Sequence, residues 1–436
     1  MRRPRSRPYF IQYERSLRPG LARPIAPRRR GPILKGVLRT LNARGVAYEV
    51  VRRVFEEDAY ADRAFRALAE GLDSRDRAFA MQLAYGTVQL VRPLDHAIET
   101  LGRRPLRKLD PPVRAALRLG AYQIGYMGSV PVHAAVNESV ELVRAAGLER
   151  AVAFTNAVLR RLGEGMERLL AGLSEGTPAE AALKHSYPDW IAEVWWREWG
   201  RDEALGLMRA QNEPPETAVR TREGPLVVDE IPPEWIEEGR AWPQSRGSQL
   251  AGRAVGAQAG ERILDLCAAP GGKATQLAEV AAEVVAVEKH PGRARELEEN
   301  AVRLGATNLS VVCADALDLP ADLAGFDRVL VDAPCSGLGV LNSRPDLRWR
   351  AQPLPELESA LLATGLERVK PGGTVTYSVC TIHRPENEEV ADAAGAQPDD
   401  LGSEFPEFRH PRRPEFLLTL PHVHGTAGFF VARLRK

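Results

Sequence analysis

The chain has 436 residues, of which 44% are hydrophobic and 27% charged, and its net charge is +1. This is the composition of folded globular proteins, so disorder throughout the chain and collagen-like repetition are excluded. At roughly 150 residues per domain, the length predicts about three domains. No apolar run approaches the ~20 residues of a membrane-spanning helix, so we expect no membrane partner.

The first thirty residues differ from the rest of the chain in charge. They carry ten arginines and one glutamate, so the other 406 residues have a net charge of −8. Five prolines interrupt the same stretch, and we predict that residues 1–31 form a basic disordered tail. Such a tail can hold a phosphate backbone without sequence preference. A misassigned start codon and a merely solubilising tail stay open as interpretations, whereas the prolines argue against an amphipathic transit peptide.

Cysteine usage indicates a reduced setting. The four cysteines are Cys267, Cys313, Cys335 and Cys380, too few for a disulfide framework in so long a chain. Because no apolar signal segment follows Met1, we expect a cytoplasmic protein. No C-x₂-C pair occurs, so we predict no metal site, and we expect the chain to act as a monomer.

Residues 32–170 show the spacing of helices. Apolar side chains recur every three or four positions, and Pro111 and Pro131 stand where helices would begin. We predict five to seven helices and no strand, which makes this an all-α domain. The last of these helices is predicted over 151–162, ending before Gly163.

Residues 171–250 are predicted to form a connector. Four tryptophans cluster on a stretch with helical spacing: Trp190, Trp195, Trp196 and Trp199. They would suit a surface on which nucleotides stack, but we favour a helix buried between two domains. Pairs of prolines leave room for only short strands, which we predict over 217–220 and 226–228.

From Gly260 onward the hydrophobic period changes. Short apolar runs alternate with helical segments, the pattern of β-α-β units. We predict a Rossmann-like α/β domain over 251–436 with a doubly wound, mostly parallel sheet, whose ligands bind at the carboxyl ends of the strands. The predicted parallel strands are 262–266, 284–287, 309–312, 328–331 and 374–378, and the predicted antiparallel edge strands are 415–420 and 429–434.

A glycine-containing turn, Asp265 to Gln276, follows the first of these strands with the sequence DLCAAPGGKATQ. Its glycines permit close approach of a ligand to the backbone, and the N-terminus of the next helix favours negative charge. A Walker A loop is excluded, because it would need Gly at Cys267 and Ser or Thr at Ala274, and the G-x-G-x-x-G fingerprint is absent. The pattern indicates a nucleoside-binding turn of another kind.

Each of the next three strands is followed by an acid, namely Glu288, Asp315 and Asp332. One acid at a strand end is commonplace, but three beside a glycine turn indicate a site for a nucleoside with free ribose hydroxyls. S-adenosylmethionine fits this description because it offers those hydroxyls and has no phosphates that would require a cationic cradle. We therefore predict S-adenosylmethionine as the cofactor.

Two cysteines lie on the same predicted rim. Cys335 follows the fourth strand and Cys380 the fifth, so their loops are expected to be neighbours above the cofactor crevice. Their position near Asp332 and Lys273 suits thiolate chemistry. We interpret Cys313, by contrast, as inert packing inside the third strand.

Seven segments carry a resemblance to known families. DLCAAPGGK, VLVDAPCSGLGV, PDLRW and YSVCTIHRPENEEV, between about 242 and 436, resemble motifs of the RNA 5-methylcytosine methyltransferases, which use S-adenosylmethionine. DRAFAMQLAYGTVQ, VNESVELVRAAG and FTNAVLRRL resemble the NusB-like RNA-binding domain. This pairing is similar to the bacterial enzymes that methylate cytosine C5 in 16S ribosomal RNA. The resemblance implies that 16S ribosomal RNA is the partner and that its position 967 is the target. It also implies a small RNA-binding subdomain in the connector.

The resemblance also implies roles for individual residues. Cys380 is then the nucleophile, Cys335 assists release of the adduct, and Asp332 takes part in catalysis. The implied cofactor-binding residues are Cys267, Ala268, Ala269, Pro270, Gly271, Gly272, Lys273, Glu288, Asp315 and Asp332. DNA cytosine methyltransferases use the Pro-Cys cysteine as nucleophile, which leaves open an exchange of roles between the two cysteines.

Two other functions are weighed against this one. A NusB-like RNA-binding or ribosome-assembly factor with a vestigial methyltransferase half would be favoured by loss of a cysteine or of the turn, and all are present. Methylation of a protein or small molecule leaves the paired cysteines unexplained. The chain departs from the family in a shorter connector, in Val219-Arg220-Thr221 where the family has Arg-Val-Asn, and in a proline- and charge-rich segment over 391–414.

Overall fold

A computed structural model describes residues 42–436 of the chain. The predicted tail, residues 1–31, lies outside the described residues, and its binding to RNA stays a prediction. The expected domain divisions near residues 170 and 250 likewise stay predictions. Among residues 42–436, no helix combines the length and the apolar character needed to cross a membrane.

The first part of the described chain is helical. Seven α-helices and no strand occur between residues 42 and 172, which confirms the predicted all-α fold class of this half. Residues that favour the start of a helix stand at the first positions of several of them. The Asn42 side chain accepts a hydrogen bond from the Gly45 amide at 2.9 Å, and Pro111 opens a helix where no amide hydrogen is needed. The helices are α1 (Ala43–Glu56), α2 (Ala61–Leu68), α3 (Ser74–Gln89), α4 (Val91–Gly102), α5 (Pro111–Tyr126), α6 (Val132–Ala145) and α7 (Glu149–Ala171).

Helix α7 corrects one prediction. It runs through Gly163 to Ala171, so the end predicted after Leu162 is wrong. A Cβ atom on Gly163 would lie 2.7 Å from a methyl group of Val132, at the start of α6. Glycine therefore serves close packing between two helices here, a role that local sequence does not distinguish from a helix end.

The connector combines helices with a small sheet. Its helices are α8 (Pro178–His185), α9 (Asp189–Trp199), α10 (Arg201–Ala210), α11 (Pro233–Glu237) and α12 (Arg246–Ala254). Its strands are β1 (Ala218–Thr221), β2 (Gly224–Val227) and β3 (Trp242–Pro243), paired antiparallel in the order β2-β1-β3. Both short strands that the sequence predicts are therefore confirmed.

The tryptophan cluster lies on α9 and packs into the protein. Trp195 is fully buried, and Trp190, Trp196 and Trp199 are partly buried against the apolar cluster that includes the large sheet described next. This burial supports a packed helix rather than a stacking surface for nucleotides, and the placement of α9 between two domains stays a prediction.

The C-terminal half is built on an eight-stranded sheet. Strands β4 (Arg262–Asp265), β5 (Glu283–Val287), β6 (Leu309–Val312), β7 (Phe326–Asp332) and β8 (Val369–Val379) pair in parallel. Strands β9 (Gln397–Pro398), β10 (Leu417–Thr419) and β11 (Phe429–Arg435) are antiparallel. The order is β10-β11-β8-β7-β4-β5-β6, with β9 also on β11. The predicted doubly wound, mostly parallel fold is confirmed.

Helices cover this sheet and complete the fold. They are α13 (Gly272–Ala278), α14 (Pro291–Arg303), α15 (Leu347–Arg350), α16 (Pro355–Arg368), α17 (Glu388–Ala393), α18 (Leu401–Glu404) and α19 (Pro421–His424). The segment 391–414 contains only the end of α17, β9, α18 and a 3₁₀ turn. Because β4 lies between β5 and β7, the strand order reverses at β4, and sheets of this kind bind ligands in a crevice at the carboxyl ends of the strands at such a point.

Cys313 lies one residue beyond β6 and is exposed, so its interpretation as buried packing is wrong. The reason is the position of β6 in the sheet. It is the last strand on its side, paired only with β5, and its residues are only partly buried. The apolar run LSVV does not reveal whether a strand is central or at the edge.

Candidate active site

The turn after β4 lies at the centre of the sheet edge. Gly271 has a left-handed backbone, with φ of +111°, and a Cβ atom there would lie 2.6 Å from the Leu297 side chain. Only glycine fits both requirements. Ala268 and Ala269 are buried, Pro270 is exposed, and Gly272 begins α13. The turn is therefore built from small residues and from a backbone conformation that requires glycine.

Three side chains from neighbouring elements hold the outside of this turn. From α14, Arg293 donates to the Ala269 carbonyl at 2.7 Å, and Asn300 donates to the Pro270 carbonyl at 2.9 Å. From β1, the buried Arg220 donates to the Gly272 carbonyl and to Oγ1 of Thr275, both at 2.8 Å. These bonds hold the backbone of the turn in place. In the sequence Arg220 stood out only as a departure from the family, and its hydrogen bonds to the turn were not predicted.

Asp265 is a further acid of the site that was not among the predicted site residues. It is fully buried at the end of β4, and its Oδ2 atom has no hydrogen-bond partner among the described residues. Burial and the charge of Asp332 raise the pKa of Asp265 to about 7. A buried polar atom without a partner, beside a turn built of backbone, fits the binding of a polar ligand in the crevice. Its position at a strand end was the signal that could have identified it.

Glu288 and Asp315 follow β5 and β6 as predicted, but their surroundings differ. Glu288 is 4% exposed, accepts a hydrogen bond from the His290 amide at 2.8 Å and lies 3.3 Å from Arg293. Asp315 is partly exposed and pairs with Lys289 at 2.6 Å, and this hydrogen bond lowers the pKa of Asp315. Glu288 is therefore the more buried of the two acids.

Lys273 and Asp332 form an ion pair between the turn and the end of β7. Their Nζ and Oδ2 atoms are 2.8 Å apart, and Ser378 of β8 donates to the other carboxylate oxygen at 3.1 Å. Lys273 is buried and also lies over the Phe429 ring at 4.9 Å. The pair holds a negative and a positive group at the edge where β4, β7 and β8 end.

Cys335 and Cys380 lie side by side, as the sequence predicts. Their sulfur atoms are 3.5 Å apart, within hydrogen-bond reach, and both residues are partly buried. That hydrogen bond lowers the pKa of Cys380, and together with burial and the charges of Cys380 and Glu386 it raises the pKa of Cys335 well above its usual range. The pair therefore favours a thiolate on Cys380, with the Cys335 thiol as the hydrogen-bond donor.

The other cysteines of the sequence have no such partner. Cys267, in the turn, has its pKa raised by burial and by nearby acids, which disfavours the thiolate. Cys313 is exposed beyond β6. Between residues 42 and 436, no three or more His, Cys, Asp or Glu side chains come together in a way that could hold a metal ion.

The helical half contacts the segment that follows the Cys335 loop. Arg344 lies 3.5 Å from Asp62 of α2, and Arg350 lies 3.7 Å from the centre of the Tyr60 ring. Trp349 donates to the Val88 carbonyl of α3 at 2.8 Å. Arg344 also contributes to lowering the pKa of Cys380, so this contact is connected electrostatically to that cysteine.

Comparison with known proteins assigns both halves. The family described as 16S rRNA methyltransferase RsmB/F matches residues 254–435, and the NusB family matches residues 41–164. Probable ribosomal RNA small subunit methyltransferase B of Synechocystis sp. is 33% identical, over 91% of this chain and 100% of its own length. Ribosomal RNA small subunit methyltransferase B of Klebsiella pneumoniae is 30% identical, over 91% of this chain and 98% of its own.

Solved structures share the fold. PH0851 aligns over 91% of this chain and 99% of its own, with a TM-score of 0.74 and 22% identity. NSun6 from Pyrococcus horikoshii with SFG aligns over 58% of this chain and 99% of its own, with a TM-score of 0.52 and 23% identity. Because curated relatives are matched over nearly their whole lengths and both halves are recognised, the chain belongs to the RsmB/F family of 16S rRNA methyltransferases.

Proposed function

We propose that this chain methylates C5 of a cytosine in 16S ribosomal RNA, with S-adenosylmethionine as cofactor and a covalent bond between Cys380 and C6 of the base as intermediate. The observation that carries the proposal is the 3.5 Å contact between the sulfurs of Cys335 and Cys380. A single buried thiol is ordinary core packing, but two thiols in contact beside a nucleoside-binding turn suit this reaction. The names of the relatives support ribosomal RNA of the small subunit as substrate.

The chemistry of cytosine explains the need for a thiolate. C5 belongs to an aromatic ring and is a poor nucleophile. Addition of a thiolate forms a sulfur bond to C6, breaks the aromaticity and makes C5 enamine-like. C5 then takes the methyl group. Loss of the C5 proton and cleavage of the bond between C6 and sulfur restore the aromatic ring and the free thiolate.

We assign the nucleophile to Cys380 and the release of the adduct to Cys335. The hydrogen bond between the sulfurs lowers the pKa of Cys380, and the positive charges of Lys273 and Arg344 act in the same direction. Cys335 keeps its proton, since its own pKa is raised. A thiol that stays neutral beside the reacting sulfur is placed to assist when Cys380 leaves the base.

We assign Asp332 to N3 of the cytosine. Negative charge builds on the ring when the thiolate adds to C6, and a protonated carboxyl group that donates a hydrogen bond or its proton to N3 stabilises it. Asp332 is held by Lys273 and Ser378 and is 28% exposed, so its carboxylate is fixed and still reachable from the crevice.

The proposed cofactor site consists of the turn and the strand-end acids. S-adenosylmethionine, when bound, supplies a methyl group activated by its sulfonium. We assign its binding to the turn Cys267–Lys273 and to Glu288, Asp315 and Asp332. Support comes from the backbone surface around Gly271, from the unpartnered Oδ2 atom of Asp265 and from the buried carboxylate of Glu288.

Replacement of Glu288 by alanine is expected to weaken cofactor binding. A carboxylate that accepts from ribose hydroxyls makes charge-assisted hydrogen bonds worth roughly 1.5–3 kcal/mol each, so the loss of one raises the dissociation constant for S-adenosylmethionine by about 10- to 100-fold. Titration calorimetry of the purified chain with S-adenosylmethionine measures this constant directly.

Glu283→Ala is the matched control for this measurement. Glu283 lies at the opposite end of the same strand and pairs with Arg262 at 2.6 Å, away from the crevice. Its replacement is expected to leave the dissociation constant unchanged. An equal constant for Glu288→Ala and wild type would remove Glu288 from the cofactor site.

The RNA must present its target base at the rim where β7 and β8 end. A cytosine inside a helix is stacked, so it has to leave the stack to reach Cys380. We propose that the helical half and the methyltransferase half bind the RNA together, because α2 and α3 contact residues 344–350, next to the Cys335 loop.

Bisulfite sequencing of ribosomal RNA tests the proposed function. Cells that lack the gene are expected to lose one 5-methylcytosine in 16S RNA, and the wild-type gene is expected to restore it. The read-out also identifies the modified nucleotide, which the family resemblance predicts to be position 967. An unchanged 5-methylcytosine pattern in cells without the gene would contradict the proposal and favour an RNA-binding or assembly factor with a vestigial methyltransferase half.

A further inference from the structure

We propose that Glu386 is a positioning residue for the cysteine pair, which ties the loop of Cys335 to the loop of Cys380 and keeps a negative charge on the Cys335 side. The inference deepens the proposed function and rests on it for the roles of the two sulfurs. Glu386 touches neither sulfur through a hydrogen bond. Its effect would pass through the residues that follow each cysteine.

The carboxylate of Glu386 gathers donors from both loops. The residue after Cys335 is Ser336, which donates its amide to one oxygen of Glu386 at 2.8 Å and its hydroxyl to the other. The residue after Cys380 is Thr381, whose hydroxyl is 3.4 Å from the same carboxylate and 2.9 Å from the Ser336 hydroxyl. One buried side chain therefore binds the two residues next to the two cysteines.

Burial makes this arrangement rigid. Glu386 and Thr381 are fully buried and Ser336 is 2% exposed, so water does not compete for these bonds. The amide of Leu354, before α16, donates to the same carboxylate at 3.1 Å, and the Tyr377 hydroxyl of β8 donates to the Glu386 carbonyl at 2.6 Å. Four elements meet at this residue, so its replacement is felt at both cysteine loops.

The charges around the two sulfurs are unequal. Glu386 contributes to raising the pKa of Cys335, whereas the groups that act on Cys380 are Cys335, Asp332, Lys273 and Arg344. The other titratable groups packed near Glu386 are Tyr377 and Glu358, and burial followed by the charge of Glu386 raises the pKa of Glu358 to about 10. Glu358 is thus neutral near pH 7, which leaves Glu386 as the negative charge on the Cys335 side.

This asymmetry selects one thiolate out of two chemically identical groups. A negative charge near Cys335 disfavours its ionisation, so Cys335 keeps its proton and donates a hydrogen bond to the Cys380 thiolate rather than the reverse. The tie through Ser336 and Thr381 keeps the sulfurs at hydrogen-bond distance. Loss of the charge should make the two thiols more equal, and loss of the tie should weaken the contact between them.

Thiol labelling in the absence of RNA tests the inference. The full chain and Glu386→Gln are treated with iodoacetamide between pH 6 and 9, and labelling of the Cys335 and Cys380 peptides is followed by mass spectrometry. Wild type is expected to label at Cys380 first. In Glu386→Gln, which keeps the shape and removes the charge, the ratio of the Cys380 rate to the Cys335 rate is expected to fall by about tenfold, the equivalent of one pKa unit.

Glu388→Gln is the matched control. Glu388 is a buried acid two residues further on, and its partners are His410 at 3.0 Å and Arg412 at 3.4 Å, outside the cysteine loops. Its replacement is expected to leave the labelling ratio unchanged. A fall of the same size in Glu388→Gln would mean that any lost buried charge perturbs the pair, and it would overturn the specific role of Glu386.

Ser336→Ala is a second variant that tests the inference if Glu386→Gln does not fold. This variant removes one donor and keeps the charge, so the ratio is expected to fall, by less than with Glu386→Gln. If Glu386→Gln folds and its ratio of Cys380 to Cys335 labelling rates stays within about twofold of wild type, the inference is overturned. If Glu386→Gln does not fold, an unchanged ratio in Ser336→Ala overturns it. Because labelling needs no RNA or methyl transfer, the inference can stand where the proposed reaction fails, and the reverse.

Discussion

Replacement of Cys380 by alanine is expected to abolish methyl transfer to RNA while leaving the affinity for S-adenosylmethionine nearly unchanged. Without the sulfur no bond to C6 forms, C5 stays part of an aromatic ring, and the rate should fall on the order of 10⁴-fold or more, as in other enzymes that lose their nucleophile. The Cys380 side chain lies at the end of β8, whereas the proposed cofactor site is built on the turn after β4. Transfer of a tritiated methyl group to 16S RNA and calorimetry of cofactor binding measure the two effects separately.

Cys313→Ala is the control for this variant. It removes a thiol from the same half of the chain, but Cys313 is exposed beyond β6 and far along the sheet order from β8. Its activity is expected to match wild type. Activity of Cys380→Ala within about tenfold of wild type would mean that Cys380 is not the nucleophile.

Replacement of Cys335 by alanine is expected to permit attack and to slow release, so that a covalent complex of protein and RNA accumulates. Its thiol is hydrogen-bonded to Cys380 and keeps its proton, which suits a group that acts when Cys380 leaves the base. The complex should survive denaturing electrophoresis as a band that disappears after ribonuclease treatment. Wild type should show little of this band, because its adduct is released in each turnover.

The double variant Cys335→Ala with Cys380→Ala completes the experiment. It is expected to form no covalent complex, because the sulfur that attacks C6 is missing. If Cys380→Ala alone accumulates the complex and Cys335→Ala does not, the two roles are exchanged, as in the DNA cytosine methyltransferases. The two single variants thus distinguish both assignments with one gel.

Much of the fold could be predicted because the signals are local. The short apolar runs from 262 onward predicted five parallel strands within two residues of their observed limits, except that β8 begins five residues earlier, since a strand buried on both faces needs consecutive apolar side chains. Pro111 marked the first residue of α5 for an equally local reason, the missing amide hydrogen. The errors at Gly163 and Cys313 concern packing against distant segments, which no local pattern reports.

The sequence by itself determined which residues reach the candidate site. In a doubly wound sheet the loops after the parallel strands meet at the same edge, so the positions of Glu288, Asp332, Cys335 and Cys380 after their strands were enough to predict that they lie near one another, whereas Asp265 was not among the predicted site residues. The glycine turn and the strand-end acids indicated a nucleoside, and the motifs indicated the family, before any distance was known.

Only the tertiary structure decided how these residues interact. The 3.5 Å contact of the two sulfurs and the bonds of Arg220 to the turn join residues between 45 and 55 positions apart. The carboxylate of Glu386 binds both Ser336, 50 positions away, and Thr381, and so connects the two cysteine loops. Two cysteines are chemically identical in a sequence. Which one carries the negative charge depends on distances to other charges and on burial, and both are properties of the folded chain.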